Sequence, residues 1–134
     1  GIIWSRVPHD PGVFTHEVDR PEGPRTQLLD VTTGGPGLVA VGGVSRGPGE
    51  FSWWNAAVWT SPDGLTWTRV PPDEAVFGGP GNQQMNAVTV GGPGLVAVGH
   101  DEPDALAAMG GIRAAVWTSP ASGTNASGGS LPAP

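Results

Sequence analysis

Val31-Thr-Thr-Gly-Gly-Pro-Gly-Leu-Val-Ala-Val-Gly-Gly43 returns further along the chain as Val88-Thr-Val-Gly-Gly-Pro-Gly-Leu-Val-Ala-Val-Gly-His100, identical at 11 of 13 positions. A second block, Ala56-Ala-Val-Trp-Thr-Ser-Pro62, returns unchanged as Ala114–Pro120. A third, Trp67-Thr-Arg-Val-Pro71, has an earlier echo in Trp4-Ser-Arg-Val-Pro8. The first two blocks recur at offsets of 57 and 58 residues and in the same order, so the chain is built from a repeated unit of nearly 60 residues.

Within one unit the β-branched and apolar runs are short and are separated by turn residues. They predict four strands: A over Leu28–Thr33, B over Leu38–Gly42, C over Ala56–Ser61 and D over Leu65–Val70. Gly34-Gly-Pro-Gly37 makes the A–B turn, and Pro62-Asp63-Gly64 the C–D turn, because Gly and Asp tolerate the backbone angles that tight turns need. Strand pairs A–B, B–C and C–D are expected to be antiparallel. Four-stranded units of this length match the blade of a β-propeller, an all-β fold whose sheets stack around a channel.

The phase of the repeat is D, then A-B-C-D, then A-B-C: a lone D strand within residues 1–8 (Ile2–Val7), a complete blade over 28–70, and three strands of a second blade over 85–119. Residues 1–120 thus read as a two-blade unit, with Ala121–Pro134 as a flexible tail. Two blades do not close a ring, and a three-stranded blade leaves an open edge. The expectation is therefore a cyclic homo-oligomer in which strand D of one copy completes the blade of its neighbour, a trimer of six blades being favoured over a tetramer of eight. The competing reading is a fragment of a longer propeller. Trp4 and Trp67, at matching positions, are both expected to be mostly buried.

Ser61-Pro-Asp63-Gly64-Leu-Thr66-Trp67 resembles the Asp-box, or bacterial-neuraminidase-type (BNR) repeat, in a form one residue shorter between Asp and Thr than the usual pattern. That resemblance implies a propeller fold and a structural role for the box. Asp63 and Ser61 can accept hydrogen bonds from the turn's own amides, and Trp67 can bury its ring. Sialidases with this box use a tyrosine nucleophile, and the chain has no Tyr. The two-blade plan is also similar in architecture to small oligomeric propeller lectins.

Composition narrows the classes further. Of 134 residues, 23 are Gly and 15 Pro, which here supply turns, since six Trp and regular apolar runs mark a packed chain. Six Arg, no Lys and twelve acids give a net charge of −6, without the basic footprint of a nucleic-acid binder. No Cys is present, so there is neither a disulfide framework nor thiolate chemistry. No apolar run is long enough to predict a membrane-spanning helix. The opening residues read as a strand and not as a signal peptide, and the composition suits a secreted bacterial protein whose targeting segment has been removed.

Function is expected where the variable connections lie. Ten of the twelve acids, all but Asp30 and Asp63, and all three His fall in the segments 8–27, 43–55, 71–84 and 100–113. Phe51-Ser-Trp53-Trp54-Asn55 offers two Trp whose side chains alternate across a strand, one to pack between blades and one to stack on a ligand ring. Its counterpart Met109-Gly-Gly-Ile-Arg113 has no aromatic, so such a site occurs once per chain. The candidate ligand-binding residues are Trp53, Trp54, Asn55, Arg113, His100 and Glu50, with Arg46 able to pair with Glu50.

His9-Asp10, His16-Glu17 and His100-Asp101-Glu102 with Asp104 have no recognised metal-ligand spacing and read as solvated loop charges; no metal or cofactor is expected. The expected function is a non-enzymatic, lectin-like carbohydrate-binding ring. The alternatives are a fragment of a larger secreted hydrolase or lyase propeller, or a protein-interaction scaffold.

Overall fold

The computed structural model describes residues 1–14, 25–46, 53–92, 94–103 and 111–120. Their order is α1 (Pro11–Phe14), β1 (Thr26–Gly34), β2 (Gly37–Ser45), β3 (Trp54–Ser61), β4 (Thr68–Arg69), α2 (Glu74–Phe77), β5 (Asn82–Gly91), β6 (Gly94–Glu102) and β7 (Arg113–Pro120). The strands form two antiparallel meanders, β1-β2-β3-β4 and β5-β6-β7. The repeat is therefore a structural one. Leu38↔Ser61 in the first sheet is matched by Leu95↔Ser119 in the second, and both first strands carry an irregularity at the same place, Leu28/Asp30 and Met85/Ala87. Gly35 and Gly92 turn the two A–B hairpins at φ 55° and 54°, left-handed values that a Cβ disfavours.

Alternation along each strand divides the first sheet into two faces. Val41, Ala56 and Val58 meet Met85, Val88 and Ala97 of the second sheet, joined by Leu95, Phe77 and Trp117. The opposite face carries Ala40, Val44, Ala57 and Trp59, covered by Val13 and Phe14 of α1 and by Trp67. Polar bridges also tie the sheets together. The Val88 amide donates to Asp30 Oδ2 (2.9 Å), Gln84 Nε2 to Gln27 Oε1 (3.0 Å) and the Trp54 amide to Asn82 Oδ1 (2.8 Å).

Three expectations change. The sequence predicts strand D over Leu65–Val70, but only Thr68–Arg69 pair with β3, extended by a Val70 amide bond to the Val58 carbonyl (2.9 Å). The cause is the preceding turn, where Asp63 Oδ1 accepts from the Leu65 and Thr66 amides, both at 2.8 Å, and keeps those residues out of the ladder. The strands also run further at the other end. Trp54, Asn55, Gln83, Gln84, His100, Asp101 and Glu102 are strand residues, not connections. Polar cross-strand pairs carry the ladder past the apolar run, with Gln83 Nε2 donating to Asp101 Oδ1 (3.1 Å) and Asn82 Nδ2 to Glu102 Oε2 (3.2 Å). Finally, Ile2–Val7 makes no strand within the chain, and Trp4 is 89% exposed while Trp67 is half-buried. Burial of a strand residue needs a neighbouring strand, and residues 1–8 have none among the described residues.

The two short helices were not anticipated. They reveal that the third repeat block is longer than its five residues suggest. Asp10 and Asp73 each accept from the amide two residues on (Gly12 and Ala75, both 2.9 Å), the arrangement of an N-cap. Val13 and Val76 then each offer a carbonyl to a strand tryptophan, Trp59 Nε1 at 2.9 Å and Trp117 Nε1 at 2.8 Å. Each helix follows a Trp-x-Arg-Val-Pro segment and docks on the sheet that comes next in the chain. Among the described residues no helix is long and apolar enough to cross a membrane. The residues of the expected tail, 121–134, lie outside those described.

Candidate functional site

The Ser61–Trp67 turn is structural in its chemistry. Ser61, fully buried, accepts at Oγ from the Gly64 amide (2.8 Å) and donates to Asp63 Oδ1 (3.2 Å), and Trp67 Nε1 closes the turn on the Gly64 carbonyl (3.0 Å). The Thr66 and Leu65 amides hold the Asp63 carboxyl below its ordinary value of 3.8, and those of Val88 and Val31 do the same for Asp30. Asp101 is lowered by the Gln83 side chain and then by Arg113.

A carboxyl that is more acidic in the folded chain stabilises it above the unfolded value, and that contribution is lost as pH falls through the folded value. Thermal stability should therefore change little between neutral pH and about pH 5 and decline below about pH 4. Asp63→Asn, which keeps the accepting oxygen but cannot titrate, should flatten that acid limb in melts recorded across the range. An unchanged limb would remove Asp63 from the account.

The candidate binding residues do not form one cluster. Arg113 is paired with Asp101 (2.7 Å), and His100 Nδ1 lies 3.2 Å from Asn86 Oδ1, both on the second sheet. Trp54 lies at the seam of the sheets, its ring beside Gly43 and its amide engaged by Asn82. Trp53, half-buried, accepts at its carbonyl from the Arg46 amide (2.7 Å). Glu50 lies outside the described residues, as do His16, Glu17 and Asp104. Among the described residues no three His, Cys, Asp or Glu side chains converge as metal ligands would.

Asn55 is different. It is 8% exposed and lines a cleft of about 300 Å³ with Val44, Ser45, Arg46, Arg69, Pro72 and Glu74. Three elements build the cleft: the end of β2, the start of β3, and the β4–α2 segment, which returns under β3. Asn55 Nδ2 donates to Glu74 Oε1 (2.7 Å) and Arg46 Nη2 to the Gly81 carbonyl (2.7 Å), so both side chains are held in place. Burial lowers the Arg69 guanidinium from its ordinary value.

Two atoms of this cleft, Asn55 Oδ1 and Arg69 Nε, are buried without a hydrogen-bond partner; Thr26 Oγ1 and Gln83 Oε1, elsewhere, are the other such atoms among the described residues. A buried polar group left unpaired costs about 1–3 kcal/mol.

Sequence reading singled out Asn55 but missed Arg69 and Glu74, because nothing local joins positions 55, 69 and 74. The available signal was the repeat itself, since Arg69 is the arginine of Trp67-Thr-Arg-Val-Pro71 and recurs as Arg6. No family model matches this chain, and no curated protein or solved structure does either.

Proposed function

We propose that this chain is a two-blade propeller unit of the Asp-box kind, non-enzymatic, that assembles into a cyclic ring and binds a carbohydrate in the Arg46–Asn55–Arg69–Glu74 cleft. The observation that carries the ligand assignment is the complementary pair of unpartnered atoms: Asn55 Oδ1 needs a donor and Arg69 Nε–H needs an acceptor. A hydroxyl is both a donor and an acceptor, the two characters these atoms call for. A carboxylate would serve Arg69 alone, and an ammonium Asn55 alone. Glu74 and Arg46, already fixed by their own bonds, flank that position with further acceptors and donors. The half-buried Trp53, whose carbonyl accepts from the Arg46 amide, is the aromatic offered to a sugar face.

The ring is supported by unequal burial of equivalent faces. Val41 of the first sheet is 1% exposed because the second sheet covers it, whereas its counterpart Val98 is 45% exposed and Val116, the counterpart of Val58, is 65% exposed. The face that these valines present is the one that, on the first sheet, receives another sheet's tryptophan face. Head-to-tail contact of this kind is heterologous and closes when the rotation per copy divides a full turn; we favour three copies and six blades over four copies and eight. Repetition of one weak site around a ring gains avidity without new contacts, and such a ring belongs outside the cell among glycans.

Glycan-array screening of the full chain, followed by calorimetry on the best hit, tests the ligand. Asn55→Ala and Arg69→Ala are each expected to weaken binding about 10- to 100-fold, the loss of one buried hydrogen bond to a polar or charged group. Retention of the sugar by both variants, or no glycan retained by the parent, would sink the assignment.

A further inference from the structure

We propose that the apolar cleft between the two sheets is the socket for Trp4 of a second copy of this chain, a proposal that rests on reading the two sheets as successive blades. The cleft holds about 650 Å³ and is lined chiefly by Val58, Val76, Phe77, Leu95, Ala97 and Trp117. What belongs in it can be read from the first sheet, where the same surroundings are filled. There Trp67 packs on Ala40, Ala57 and Trp59 together with Val13 and Phe14.

Four of those five residues have counterparts lining the cleft: Ala97 for Ala40, Trp117 for Trp59, Val76 for Val13 and Phe77 for Phe14. The helix docks the same way in both, through the tryptophan Nε1 bond to a valine carbonyl at 2.9 and 2.8 Å. What the second site lacks is the tryptophan that Trp67 supplies to the first.

The chain contains one other Trp-x-Arg-Val-Pro segment, Trp4-Ser-Arg-Val-Pro8, and its aromatic is almost wholly exposed together with Ile2 and Ile3. Three consecutive large apolar side chains in water cost free energy in proportion to their area, about 25 cal/mol per Å². The geometry of the matching segment says where they go. Trp67 lies on the first sheet while the helix that follows it, α2, docks on the second.

By the same step, α1 docks on the first sheet, so Trp4 belongs to the sheet before it. Residues 7–11 already lead that way, lying beside Leu65, Thr66 and Trp67 at the first sheet's outer face. In a head-to-tail assembly the preceding sheet is the second sheet of a neighbouring copy, whose β7 edge is unpaired among the described residues. The register follows from Thr60↔Thr68 and Trp59↔Arg69: Ser5 should lie opposite Thr118 of the neighbour, and Arg6 opposite its Trp117.

The parent chain has no cysteine, so an engineered pair reports without background. Full-length Ser5→Cys and Thr118→Cys single variants, mixed and oxidised, are expected to give a cross-linked heterodimer in high yield. Directly opposed strand residues come within the Cα separation that a disulfide requires. The double variant should give cross-linked rings, and native mass spectrometry of the parent should give three times the 13.6 kDa chain mass.

Trp4→Ala should release folded monomers with an unchanged far-ultraviolet circular dichroism spectrum. No cross-link between folded single variants, or a cross-link formed within one chain of the double variant, would overturn the proposal; so would a parent that stays monomeric at micromolar concentration. A reciprocal pair of two cross-linked chains would support the socket and remove the closed ring. Loss of sugar binding in Arg69→Ala with cross-linking intact would separate the ligand assignment from this one.

Discussion

Trp59→Ala is expected to lower stability by about 3–5 kcal/mol, the range for truncating a large aromatic in a packed core. Trp59 is 0% exposed and sits at the centre of the outer face of the first sheet, among Ala40, Val44 and Ala57 and under Val13, Phe14 and Trp67. Its small neighbours are what make room for the indole, and they cannot collapse far enough to refill the space. The substitution also removes the Nε1 bond to the Val13 carbonyl, which pins α1 to the sheet.

Two partial variants separate these effects. Trp59→Phe keeps most of the apolar area and loses the bond, for about 1 kcal/mol. Trp117→Ala removes the repeat twin, which is half-buried within a single chain; compared in the monomeric Trp4→Ala background, it should cost clearly less than Trp59→Ala. Urea unfolding gives the comparison, read as midpoint shifts at constant slope. Equal losses for the two alanine variants would mean that Trp117 is as buried in solution as Trp59.

Gly42→Ala and Gly99→Ala are the second pair of large effects. Each glycine lies across from the irregularity in the strand before it, Leu28/Asp30 and Met85/Ala87. The extra residue there presses the neighbouring backbone inward. A Cβ on Gly42 would fall on the Gln27 carbonyl, and one on Gly99 on the Gln84 carbonyl. These are main-chain atoms, so no rotamer change relieves the clash, and the first strand must leave the ladder locally. The expected loss is about 1–3 kcal/mol or more at each site, as for overpacked cores. In the monomeric Trp4→Ala background Gly91→Ala is the control, because among the described residues of one chain nothing lies within 4 Å of the position its Cβ would take. Thermal melts should leave Gly91→Ala near the parent and lower the other two; three similar melts would show that β1 and β5 yield easily.

The strands and their order were legible because strand and turn signals are local. Alternation of apolar residues and Gly-Gly-Pro-Gly or Pro-Asp-Gly turns need no knowledge of the rest of the chain. The helices were not legible, since four residues such as Pro11–Phe14 or Glu74–Phe77 are about one turn and show no period. The strand ends were misjudged where Gln83 and Asp101, or Asn82 and Glu102, continue the ladder through side-chain amides and carboxylates. Of the candidate site, Asn55 was visible beside two tryptophans. Its partnership with Arg69 and Glu74 was not, because it depends on how β4 and the segment after it return under β3.

Leu38-Val-Ala-Val-Gly42 and Leu95-Val-Ala-Val-Gly99 are the same five residues, and they mark where sequence ends and tertiary structure begins. By itself the sequence determined that both are second strands of antiparallel meanders, entered from the same turn and paired with the same Ala-Ala-Val-Trp-Thr-Ser strand. It could not determine their burial. Val41 is 1% exposed and Val98 45%, although every local preference is identical. The difference comes from a neighbour: a sheet covers the first valine, and among the described residues nothing comparable covers the second. Backbone conformation is set by each residue and its near neighbours, whereas burial is set by whatever surface the fold or its assembly brings opposite.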